Sequence, residues 1–280
     1  MPKNFVLEER IERYADAIEL SPASYRGRWA EACAPAGGSP FERVCLDLGC
    51  GKGIYLVESA LRDPRSLYIG VDCEPVCIVY AAQAVLESSV PNAVVIPGRA
   101  DDLSAFIAPG ELDELTISFP TPFPRKKQAA GRVTDVDRLL EYRPLLADGA
   151  ALTLRTDSRP LFEFSQGQLE GAGYSTAWIS DDTRANHPEI PDSEYERKLA
   201  REGARVYGVQ AIPGPEPSAE QVEAARAMPR SLFEYVPDDL FEGAYIPHGM
   251  GYAIQTFRNR RANAERRAAN RDRADRGRRS

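Results

Sequence analysis

The chain has 280 residues, 43% of them apolar, and a formal net charge of −7. That length allows one large or two small domains with a substantial core, and the acidic balance by itself argues against a surface built throughout for nucleic acid. No stretch approaches the roughly 18 apolar residues of a membrane span, and the charged start MPKNFVLEERIERYADAIEL does not fit a secretory signal, so a cytoplasmic protein without a membrane partner is expected.

Residues 1–40 read as an N-terminal helical segment, punctuated by Pro22, Pro35 and the Gly37-Gly38 pair. Over 41–211 short β-rich runs alternate with helical ones, the order of a parallel sheet covered on both faces. The expected strands are 43–48, 66–71, 93–97, 112–119, 150–156, 173–179 and 205–211; helices are expected near 53–62, 75–88, 134–146 and 158–170. The last two strands are joined by a long polar loop. This order predicts an α/β fold with a Rossmann-like, doubly wound, seven-stranded sheet whose last strand is antiparallel. IPGPEP at 212–217 reads as a linker, and Ser218 with Gln221 three residues on starts a helix with a capping box. The extension 212–257 is rich in aromatics from Pro229 to Tyr252 but shows no clear periodicity, and its sequence suggests no role. In the tail 258–280, ten arginines face Glu265, Asp272 and Asp275, a local +7 that leaves −14 for the rest. A solvated tail and an electrostatic arm for RNA both fit that pattern.

Cys33, Cys45, Cys50, Cys73 and Cys77 form no CxxC pair, and the histidines are His187 and His248, so no metal site is expected. Chemistry is concentrated at the predicted strand ends instead. After the first comes DLGCGKG, Asp47 to Gly53, where Gly49, Gly51 and Gly53 permit a sharp turn and close ligand approach at a helix start. The GxGxG spacing departs from the dinucleotide GxGxxG and favours S-adenosylmethionine. Asp72 ends the second strand, where a carboxylate can accept from both ribose hydroxyls. The third delivers GRADDL, with Arg99 and Ala100 beside the expected nucleoside; Asp101 or backbone groups could also serve there. The fourth ends in SFPTPFPRKK, Ser118 to Lys127. Three prolines in five residues make a stiff loop, and its position outside the strand ends suits a wall that aligns a methyl acceptor and excludes water.

The order and spacing of these motifs over about 190 residues resemble the bacterial tRNA (guanine-N7)-methyltransferases. The resemblance rests on GRW (27–29), DLGCGKG, the FPxPxP loop followed by basic residues, LRTD (154–157) and SEYERK (193–198). It implies a class I methyltransferase fold, S-adenosylmethionine as donor and N7 of a tRNA variable-loop guanosine as acceptor. By the same resemblance, Asp157, Ser193 and Glu196 take catalytic or base-reading roles, with Thr121 in the position of the family's loop Asp. The cofactor set is then Asp47, Gly49, Gly51, Gly53, Asp72, Arg99, Ala100 and Ser118, and the substrate set Pro120, Phe123, Arg125, Lys126 and Lys127. Thr121 and Phe123 depart from the family's PDPW-like motif, and Gln128, Ala129 and Gly131 stand where it commonly has His and basic residues. A divergent pseudoenzyme that keeps the cofactor pocket and binds RNA or a partner is the alternative; a small-molecule methyltransferase would leave the basic tail unexplained.

Overall fold

The structure, a computed structural model, describes residues 5–236, 245–247 and 249–279, with side chains of the last helix as far as Arg267 apart from Ala253 and Phe257. His248, part of the aromatic stretch 229–252 and the end of the arginine tail lie outside the described residues or side chains. In chain order the helices are α1 (Leu7–Arg13), α2 (Trp29–Ala32), α3 (Ile54–Arg62), α4 (Pro75–Glu87), α5 (Leu103–Phe106), α6 (Val136–Tyr142), α7 (Arg159–Gly171), α8 (Thr183–Asn186), α9 (Glu194–Arg201), α10 (Ala219–Ala227) and α11 (Gly251–Arg279). The strands are β1 (Arg43–Leu48), β2 (Ser66–Asp72), β3 (Ala93–Pro97), β4 (Leu112–Ser118), β5 (Leu146–Thr156), β6 (Tyr174–Ser180) and β7 (Tyr207–Pro213).

They form one sheet in the order β3-β2-β1-β4-β5-β7-β6, parallel except for β7, which runs antiparallel to both of its neighbours. The expected fold class is therefore the observed one. The central strands are apolar almost without interruption because helices cover both faces: Leu46, Ile69, Ile117 and Leu154 are essentially unexposed. The order reverses between β1 and β4, and there the strand ends open a crevice.

The N-terminal segment is bound into this frame. Ile18 bridges to Val95 on the sheet edge, and the fully buried Trp29 donates its indole N–H to the Phe106 carbonyl at 2.8 Å. Glu111 accepts from the N–H groups of Gly27, Trp29 and Ala108, which explains a tight GRW turn beside the core. At the other end, α10 begins with the expected Ser218–Gln221 capping box. Beyond it, Leu232, Met250 and Ile254 join Leu161 and Phe164 of α7 in a small apolar cluster. Two expectations need correction. The segment before β7 is not only a polar loop, since it contains α8 and α9; the helix expected over 134–146 ends at Tyr142, followed by a short turn through Pro144 into a longer β5.

Candidate active site

A cavity of about 540 Å³ lies outside the ends of the parallel strands. Leu48, Gly49, Val71, Asp72 and Gly98 to Asp101 form one side; Ser118 to Thr121 and Phe123 form the other, and Ala130 to Val133 complete it. Its volume suits a nucleoside-sized ligand.

The glycine turn has three left-handed residues, with φ of 80° at Gly49, 55° at Gly51 and 74° at Gly53. They differ in what surrounds them. A Cβ at Gly49 or Gly51 would meet nothing within 4 Å, whereas one at Gly53 would lie 2.8 Å from the Ala81 backbone. The third glycine thus permits close packing of α3 on α4. Asp72 holds the turn: its carboxylate accepts from the N–H of Gly51 and of Glu74, each at 2.9 Å, while still lining the cavity. Behind the turn, Asp47 is 3% exposed and its Oδ1 has no hydrogen-bond partner among the described residues. Burial pushes its carboxyl up to about 7, partly offset by the charge of Arg155.

On the third strand end, Arg99 is exposed and pairs with Asp101 at 3.2 Å; Ala100 lines the cavity beside it. The fourth strand end is strained. Phe119 and Phe123 have φ of 52° and 44°, a conformation that costs side-chain-bearing residues on the order of 1–3 kcal/mol each and persists only where neighbours impose it. At Phe123 the neighbour is Arg132, 1% exposed, which donates to the Pro122 and Phe123 carbonyls, with Nη2 reaching Phe123 at 2.8 Å and Arg230 at 2.9 Å. The Phe119 N–H donates to the Arg155 carbonyl at 2.7 Å. Thr121 is exposed on the cavity wall, Pro120 and Phe123 are half-buried beside it, and Arg125, Lys126 and Lys127, which follow in the chain, are exposed.

Ser193 and Glu196 are placed differently from the expectation. They begin α9 as a capping box: Ser193 Oγ accepts from the Glu196 N–H at 3.2 Å, and Glu196 accepts from the Ser193 N–H at 2.7 Å. The Glu196 carboxylate is fully buried and accepts from Arg155 Nη1 at 3.0 and 3.2 Å. Burial pushes it upward and Arg155 pulls it back. Neither residue is among those lining the cavity. Arg155 connects Glu196 to the cavity wall, since its Nη2 donates to Ser118 Oγ at 3.1 Å. Asp157 is 6% exposed and accepts on Oδ2 from the Tyr245 hydroxyl; Phe119, which does line the cavity, meets the Tyr195 ring edge-on at 5.0 Å. Arg155, Arg132 and Tyr245 were not singled out in the sequence. LRTD contained Arg155, but no local pattern announces that it pairs with a residue 41 positions on. Among the described residues, no cluster of His, Cys, Asp or Glu could hold a metal, and no helix is long and apolar enough to cross a membrane.

Comparison with known proteins agrees with this architecture. A family model described as "Putative methyltransferase" matches residues 42–209. The tRNA (guanine-N(7)-)-methyltransferase of Streptococcus uberis is 30% identical over 206 residues, 73% of this chain and 95% of its own length. That of Geobacillus kaustophilus is 29% identical over 213 residues, 76% of this chain and 96% of the relative. Among solved structures, a 16S rRNA (adenine(1408)-N(1))-methyltransferase from Catenulisporales acidiphilia is similar over 71% of this chain and 96% of its own, at 20% identity and a TM-score of 0.49. With the family match over the sheet and relatives aligned over nearly their whole length, this chain belongs to the tRNA (guanine-N7)-methyltransferase family.

Proposed function

We propose that the protein transfers a methyl group from S-adenosylmethionine to N7 of a guanosine in the variable loop of tRNA. The observation that carries this reading is the shared cavity: one side is the glycine turn with Asp72, the other the Pro-fixed loop 118–124. The residues present fit the cofactor. Space is open where Gly49 and Gly51 lack a side chain, Asp72 lines the cavity, and the buried Asp47 Oδ1 has no hydrogen-bond partner among the described residues. Gly49, Gly51, Asp72, Arg99, Ala100 and Ser118 would hold it, Asp47 would support it from behind, and Gly53 would keep the turn packed. When bound, the cofactor supplies an electrophilic methyl group on a sulfonium.

The chain's own part is alignment. Guanine N7 has an available lone pair, so no strong general base is required, and positioning and accommodation of the developing positive charge dominate. Pro120, Thr121 and Phe123 wall the acceptor and exclude water, Asp157 supplies negative charge beside that wall, and Glu196 acts through Arg155 on Ser118. Arg125, Lys126 and Lys127 attract phosphates. The binding-only alternative keeps the same cavity, and what favours transfer over it is the similarity to relatives named for guanine-N7 methyl transfer. The test is methyl transfer from labelled cofactor to unmodified tRNA, followed by nucleoside digestion. 7-Methylguanosine is expected; binding of both cofactor and tRNA with no transfer would replace this reading with a binding module.

A further inference from the structure

The family match ends at residue 209, yet a residue well beyond it reaches Asp157, just after the end of β5. Tyr245 is brought there by a segment that is firmly attached on both flanks. Before it, the Leu232 N–H donates to the Pro124 carbonyl at 3.0 Å; after it, Gly249 packs so closely on Pro122 that a Cβ would lie 3.2 Å from the ring. Between these anchors the Tyr245 hydroxyl donates to Asp157 Oδ2. The ring packs with Phe119 and Tyr195 around Leu199, Ala204 and Val206, while the Asp157 carboxylate that its hydroxyl reaches has little access to water. The Tyr195 phenol is pushed up to about 12, by burial first and by the charge of Asp157 second, so it too remains a donor near neutral pH.

A buried carboxylate keeps its charge only where donors replace water, and each donor also fixes the plane of the group. We propose that Tyr245 is a positioning residue for Asp157, holding its carboxylate in the orientation that serves the acceptor base. This rests on the reading that Asp157 acts at the acceptor side. It assigns the segment after the sheet a part in the reaction itself, and it makes the acceptor site depend on two parts of the chain remote in sequence.

The experiment is a double-mutant cycle of Tyr245→Phe and Asp157→Asn, read as kcat and KM for unmodified tRNA, with cofactor affinity as the check of folding. Removing a hydrogen bond to a charged group should lower kcat by roughly tenfold to a hundredfold in Tyr245→Phe, with cofactor affinity and the KM for tRNA unchanged. In the Asp157→Asn background the same change should have no further effect, because its route of action is gone. Should that background be too slow to measure, Asp157→Glu takes its place in the cycle, and the expected outcome is again a smaller effect of Tyr245→Phe than in the native background. An equal loss in both backgrounds would overturn the proposal in favour of a merely structural tyrosine. A wild-type or raised kcat in Tyr245→Phe would also overturn it, the latter marking the hydroxyl as a competitor of the base. If Asp157→Asn itself transfers methyl groups at the wild-type rate, the acceptor-side reading of Asp157 falls together with the proposal; if that variant is impaired while Tyr245→Phe is normal, only the proposal falls.

Discussion

One guanidinium joins three parts of the site. Arg155 donates to Glu196 at the start of α9, to the Pro191 carbonyl and to Ser118 at the cavity wall, and it lies over the Tyr55 ring at 4.7 Å. With side chains 1% and 0% exposed, the Arg155–Glu196 pair is a buried ion pair, for which loss of one partner is worse than absence of both. Glu196→Gln should therefore lower the unfolding free energy by about 3 kcal/mol, read from urea denaturation. Unchanged stability with lost activity would instead return Glu196 to the role of a base reader. The four residues Ser193 to Glu196 show why side-chain roles were only partly legible. Ser-x-x-Glu is at once the family's site pair and a helix-start signal, and hydrogen-bond geometry decides between the two. Tyr245 was not legible at all, since it meets Asp157 only through folding of a segment without periodic pattern.

Among the elements, the turn between β1 and α3 separates two uses of glycine that sequence spacing cannot tell apart. Gly51 and Gly53 both have positive φ, so an Ala at either is strained, but only at Gly53 would its Cβ also strike the Ala81 backbone. Gly51→Ala should yield a folded protein with weakened cofactor binding, and Gly53→Ala a protein with a markedly lower melting temperature. Equal melting temperatures for the two variants would contradict the packing role of Gly53. The strands from β1 to β4 were legible to within a residue, because strands buried on both faces must be continuous apolar runs, whereas β5 begins four residues earlier than expected and β7 is displaced by two. α9 was not legible: of its described side chains, Tyr195, Glu196 and Leu199 face inward, and the buried partner that makes the charged Glu196 inward-facing lies on β5.

For the molecule as a whole, charge is divided between an acidic body and one basic arm. α11 runs unbroken from Gly251 to Arg279, about 40 Å, across the boundary expected at residue 258. Arg260, Arg261, Arg266 and Arg267 are exposed along it, and its root is tied to the loop after β4 by the Arg125 guanidinium over the Tyr252 ring at 5.2 Å. The basic residues of that loop and the arm are thus linked at Arg125. Truncation before Arg258 should weaken tRNA binding and lower the log–log salt slope by roughly 3 to 5, leaving cofactor binding intact. Equal affinity and equal slope would show the arm to be a bystander.

The central claim is that this cavity methylates guanine N7 in tRNA, and nucleoside mass spectrometry of total tRNA from a strain lacking the gene tests it most directly. 7-Methylguanosine should disappear, return with the wild-type chain, and stay absent with Asp157→Asn. An unchanged 7-methylguanosine level in the deletion strain, with a different methylated nucleoside lost instead, would contradict the account.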